Sequence, residues 1–136
     1  LTEFQDYTHT FLPPKMCQAV MQTKAFATCD LSDKIVAMGS DRIDGNEIQA
    51  FIDKGATVIA NWGMSEIGPN AINKVYNKND TIDFTKNILG DTTQCETKII
   101  DGQLYVKGPT CIYSGWFATG DLVTFENDTY SFIKRK

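Results

Sequence analysis

Residues 60 to 69 read ANWGMSEIGP, and they bring an aromatic ring, a hydroxyl and a carboxylate close together as Trp62, Ser65 and Glu66. Trp62 offers a flat face for a base or ring. Glu66 offers a hard anionic oxygen suited to Mg²⁺, an ion that takes one or two carboxylates and completes its shell with substrate phosphates. Gly63 lets backbone approach a ligand closely, and Met64 lies between it and the Ser65 hydroxyl. Taken alone, this stretch reads as readily as a turn with a packed indole and a solvated carboxylate. A second stretch, SGWFATGDL at 114–122, carries Thr119-Gly120-Asp121 into a strand. A carboxylate that accepts both ribose hydroxyls is a recurring solution in nucleotide sites, and Asp121 is placed to be one. A third, MGSD at 38–41, ends an apolar run in Gly39, Ser40 and Asp41.

The elements that must position these residues fall into two styles. YTHTFL (7–12) reads as a short strand, Pro13-Pro14 opens a helix over KMCQAVMQTKAF (15–26), and KIVAMG (34–39) is a buried strand. A second helix spans 44–54, with Asp44 as cap, Glu47 three residues on, and Gly55 closing it. ATVIAN is the next strand. Connections of this length favour parallel strands with helical crossovers. In open parallel sheets ligands bind beyond the carboxyl ends of the strands, so the 38–41 and 61–66 turns are expected at one edge. The second half alternates instead. CETKIIDGQLYVKG holds two runs joined by Asp101-Gly102, and DLVTFENDTYSFIK is another hairpin around Asn127-Asp128. The expected fold class is α/β followed by antiparallel β. A partial parallel sheet covers about 1–76, residues 77–94 form a connection, and an antiparallel β-subdomain follows, its strands at about 90–134 and its domain bounds at 95–136.

Composition narrows the partners. A net charge of −4 over 136 residues argues against nucleic acid, whose phosphates attract basic faces. No apolar run approaches the ~20 residues of a membrane span, and no signal peptide is visible. The four cysteines at 17, 29, 95 and 111 form no C-x-x-C, and His9 is the only histidine. Free, mostly buried thiols in a reducing, cytoplasmic setting are expected rather than zinc. The chain starts at Leu1 rather than Met and ends on IKRK, which reads as processed ends or as a piece of something longer.

In this order the motifs resemble the adenylate-forming superfamily of acyl-CoA synthetases, peptide-synthetase adenylation domains and luciferases. Its YGMTE turn matches Trp62 to Glu66, its ELxVRGP matches QLYVKGP (103–109), its GWFxTGDL matches GWFATGDL (115–122), and its GRxKD matches KRK (134–136). The match is collinear from about residue 8 onward and is closest in style to the o-succinylbenzoate–CoA ligase type. The resemblance implies ATP or AMP and Mg²⁺ as ligands and a small carboxylic acid as substrate. It places Trp62 on the adenine, Ser65 on the α-phosphate, Glu66 on Mg²⁺, Asp121 on the ribose hydroxyls and Arg135 near the nucleotide, with Gly39, Ser40 and Asp41 at the adenine turn.

The departures have consequences. Asp41 replaces a small residue of the family's GGA turn, Ser65 replaces Thr, and Lys134 replaces Gly. The family's Ser/Thr/Gly-rich phosphate loop and catalytic lysine find no counterpart in these 136 residues. No catalytic residue is therefore expected in this chain alone, and its nucleotide binding is expected to be weak or absent. The leading expectation is a fragment or truncated form of an AMP-binding acid–thiol ligase, partnered by the rest of that enzyme or by a second copy of itself. The alternative is a stand-alone nucleotide-binding or interaction module, or an inactive remnant.

Overall fold

Alternating burial marks three short strands near the start of the chain, and amphipathic segments between them fold as helices. The computed structural model describes residues 6–136. Strand β1 (His9–Leu12) is followed by helices α1 (Pro14–Met21) and α2 (Lys24–Thr28), strand β2 (Ile35–Met38), helix α3 (Gly45–Asp53) and strand β3 (Thr57–Met64). β1 pairs β2 and β2 pairs β3, both parallel, with Val36 beside Val58 and Met38 beside Ala60. The helical crossovers are as expected, with one correction. The helix over 15–26 is interrupted at Gln22-Thr23, because the Thr23 side chain accepts the Phe26 N–H at 3.2 Å and starts a new helix there. Threonine competes for backbone groups in this way and favours caps over helix interiors.

The remaining strands are β4 (Gly68–Tyr76), β5 (Asn87–Thr92), β6 (Glu96–Ile100), β7 (Gln103–Lys107), β8 (Phe117–Glu126) and β9 (Thr129–Arg135). The described residues divide into two units. The first comprises residues up to Ala60 together with Val75–Phe84. Its core is Val36, Met38, Val58, Phe51, Ile52 and Leu31 with their neighbours. α3 is tied to α1 by the Gln18 side-chain amide, which donates to Glu47 at 2.7 Å.

The second unit comprises Asn61–Lys74 and Thr85–Lys136. It is antiparallel, with strands β4, β5, β9, β8, β7 and β6 lying side by side in that order. Its core gathers Ile67, Ile72, Leu104, Val106, Val123 and Tyr130. Both hairpin turns fall where expected. Asp101 and Gly102 (φ 51° and 78°), and Asn127 and Asp128 (φ 50° and 57°), adopt the left-handed backbone that two-residue hairpin turns require.

Two further expectations are corrected. Residues 87–92, read as part of a connection, form β5, whose polar residues suit a strand with one face exposed. Trp62, Gly63 and Met64, read as a turn beyond a strand end, belong to β3 itself, and the turn is Ser65–Ile67. The strand persists because β4 follows at once and takes up its edge: a side chain at Gly63 would collide with the Gly68 carbonyl.

Candidate nucleotide site

Thr119, Gly120 and Asp121 occupy a bulge on β8. Against β7, Gln103 faces Leu122 and Tyr105 faces Ala118, so β8 holds extra residues between those two pairs. Gly120 absorbs the distortion at φ 79°, a conformation that costs other residues ~1–2 kcal/mol. Bulges of this kind re-aim side chains. Thr119, itself buried, fixes the bulge from within. Its hydroxyl donates to the Leu104 carbonyl at 2.9 Å and accepts the Asp121 N–H at 3.1 Å.

Asp121 is thereby held 4% exposed. The Trp62 Nε1–H donates to its Oδ2 at 3.3 Å, and Arg135, its register partner on β9, places Nη1 3.7 Å from Oδ1. Arg135 also donates from Nη2 to the Thr119 carbonyl at 3.5 Å. Burial pushes the Asp121 carboxyl up from the ordinary aspartate value, while Arg135 and then the Trp62 N–H pull it down. Burial prevails because the guanidinium is largely in water and its charge is screened there. One of the carboxylate's roughly four acceptor positions holds a hydrogen bond and Arg135 stands at ion-pair distance from the other oxygen, which leaves capacity for a pair of hydroxyls.

The turn after β3 is pinned by the segment that follows β7. The Ile112 N–H donates to the Glu66 carbonyl at 2.9 Å, and the Thr110 hydroxyl donates to the Ile67 carbonyl at 2.8 Å. Ile67 is fully buried, Ser65 is exposed and Glu66 is half-buried. Among the described residues no group of three or more His, Cys, Asp or Glu is arranged to hold a metal ion. A Mg²⁺ held at Glu66 would then draw most of its shell from phosphate oxygens and water.

The structure brings Trp62, Asp121 and Arg135 together, and it sets Gly63, Met64, Ser65 and Glu66 directly after Trp62. Gly39, Ser40 and Asp41 belong to the first unit. There Gly39 is buried, Ser40 is exposed at φ 75°, and the exposed Asp41 accepts the Arg42 N–H at 2.8 Å. Two features escaped the sequence reading. One is the double role of the Thr119 hydroxyl. The other is Asn61, whose buried side-chain oxygen has no hydrogen-bond partner. The TGD spacing carried a signal for the first, and nothing in the residue types carried one for the second.

No family model matches the chain. A search of curated proteins finds a nicotinic acid–CoA ligase of Penicillium canescens, olcI, 24% identical over 155 residues, covering 94% of this chain. The chain spans 28% of that ligase's length. Among solved structures, E. coli MenE with a bound phenylether-linked analogue of OSB-AMS superposes with a TM-score of 0.76 at 16% identity, over 98% of this chain and 31% of that one. McyG A-PCP complexed with phenylalanyl-adenylate gives a TM-score of 0.78 at 16% identity, over 99% of this chain and 32% of that one. The chain thus has the fold of a segment of the adenylate-forming enzymes, as its motifs led one to expect, and it corresponds to about a third of such a protein.

Proposed function

We propose that this chain forms the nucleoside-binding part of an AMP-forming acid–thiol ligase. One observation carries the reading: the Trp62 indole and the Asp121 carboxylate touch at 3.3 Å. A nucleoside's base and ribose are covalent neighbours, so an aromatic face and a hydroxyl-accepting carboxylate must also be neighbours to hold one. Support comes from the likeness to a CoA ligase and to structures holding adenylate or an adenylate analogue. In this reading Asp121 takes the ribose hydroxyls, Trp62 the base and Ser65 the α-phosphate, Glu66 shares Mg²⁺ with the phosphates, and Arg135 sits beside the ribose. The acid substrate is a small carboxylate. The rest of the ligase or a second copy of this chain covers exposed apolar side chains such as Ile112 and Phe11, and the setting is cytoplasmic.

Stacking on Trp62 contributes ~1–3 kcal/mol, and hydrogen bonds to an ionised Asp121 contribute ~1.5–3 kcal/mol. Ordering costs reduce the sum. A net value near ~4 kcal/mol corresponds to about millimolar dissociation. An NMR titration of the 136-residue chain with AMP is expected to shift the Trp62 indole and Asp121 signals on that scale. Asp121→Ala should abolish the shifts, and Lys78→Ala on the exposed surface should leave them. If ~10 mM AMP moves no resonance at 62–66 or 121, the nucleotide reading fails and the inactive remnant replaces it.

A further inference from the structure

Cys95 and Cys111 are 16 positions apart in sequence, yet both meet Gly108, Cys95 by its side chain and Cys111 by its backbone. Cys95 immediately precedes β6, where Glu96 pairs with Lys107. The same antiparallel register places Cys95 opposite Gly108. The contact is close: a side chain at Gly108 would stand 3.0 Å from the Cys95 Cβ. Only glycine leaves that space open. From Gly108 the chain folds back on itself, with the Cys111 N–H donating to the Gly108 carbonyl at 3.1 Å. Cys111 therefore returns to the residue that Cys95 already touches. Both side chains are half-buried against the same core. Burial pushes the Cys95 thiol up, and the neighbouring Cys111 adds to the rise.

Access differs between the two. A cleft of about 480 Å³ opens over this corner, lined by Cys111, Lys107, Glu96, Tyr113 and their neighbours, and Cys95 is not among its walls. The Cys95 thiol instead donates to the Ala71 carbonyl at 3.2 Å. That carbonyl also accepts the Thr93 N–H at 3.1 Å. Loss of the thiol hydrogen would leave it satisfied. All four cysteines are free in the structure.

We propose that Cys95 and Cys111 form a reversible dithiol–disulfide pair that exchanges with small disulfides of the glutathione class entering the cleft. The Cys111 thiolate attacks one sulfur of the small disulfide, whose S–S bond breaks, and the first thiol leaves with a proton from solvent. The Cys95 thiolate then attacks the Cys111 sulfur of the mixed disulfide and releases the second thiol. The protein gives up two electrons and two protons, and the small disulfide takes up both. The bond ties the 108–112 segment to the head of β6. That segment also grips the Ser65–Ile67 turn through Thr110 and Ile112, so oxidation acts on the turn whether or not nucleotide binds there.

The 136-residue chain, equilibrated with oxidised and reduced glutathione at graded ratios and then acid-quenched and digested, should give one cross-linked peptide pair, Cys95 to Cys111. Cys17 and Cys29 should remain thiols. Cys95→Ser should lose the cross-link and instead accumulate a stable glutathione adduct on Cys111. A Cys17–Cys29 link, adducts spread over all four cysteines, or a lasting adduct on Cys111 in the parent chain would overturn the proposal. The parent's own linkage map decides the matter if the Ser variant does not fold.

Discussion

Asp121 is buried while its guanidinium partner is mostly in water, and this imbalance decides how the carboxylate titrates. Its folded value lies above the ordinary 3.8, so the native state holds the proton more tightly than the unfolded chain does. The stability Asp121 contributes is fully present below about 3.8 and is lost as pH rises through the folded value. Urea unfolding of the parent and of Asp121→Asn across that range should show the parent losing stability relative to the variant as pH rises. A parent that gains on the variant instead would contradict the burial argument. The motif TGD was legible as a ribose-binding candidate from residue types alone. Its neighbour was not: Trp62 reaches Asp121 across 59 positions, and a contact of that range depends on a bulge that no local pattern announces. The extension of β3 through Trp62-Gly63-Met64 was likewise hidden, because Trp-Gly-Met followed by Ser-Glu has the composition of a turn.

At the scale of elements, the signals that are local in sequence were readable. The capping box of α3 is one. Asp44 accepts the Asn46 N–H at 2.8 Å, and the Glu47 side chain accepts the Asp44 N–H at 3.2 Å. Asp44→Ala should lower stability by ~1 kcal/mol in chemical unfolding. An effect within ~0.3 kcal/mol of zero would mean that tertiary packing, rather than the cap, holds the helix end. The pairing of β4 with β5 was not readable, since it depends on Gly90. That glycine sits at φ 107° with its α-carbon against the Asn73 backbone, where any side chain would overlap the carbonyl. Gly90→Ala should cost more than ~3 kcal/mol or prevent folding, through both clash and strain. Gly115 faces open space, and Gly115→Ala should stay within ~0.5 kcal/mol of the parent. Similar losses for the two variants in thermal or urea unfolding would refute this account of the pairing.

For the whole molecule, the expected activity follows from what charge neutralisation needs. Adenylation moves negative charge onto a pyrophosphate leaving group, and its catalysis is largely electrostatic positioning. In the proposed reading these 136 residues hold the nucleoside, and the outer phosphates are neutralised by the phosphate loop and lysine that the family resemblance leaves without a counterpart here. The chain by itself should show no ATP–pyrophosphate exchange with any carboxylic acid. Exchange above a heat-killed control that vanishes in Glu66→Ala would refute this. The 59-position span between Trp62 and Asp121 also bears on time. The two-residue hairpins β6–β7 and β8–β9 close over short loops and can form early, whereas joining β3 to β8 requires closing a long one. Folding should therefore reach its barrier with the hairpins formed and the indole still apart from the carboxylate. Trp62→Phe, which removes the indole N–H and leaves the carboxylate's charge in place, would then accelerate unfolding and leave refolding nearly unchanged in a stopped-flow chevron; slowed refolding would place the contact in the nucleus.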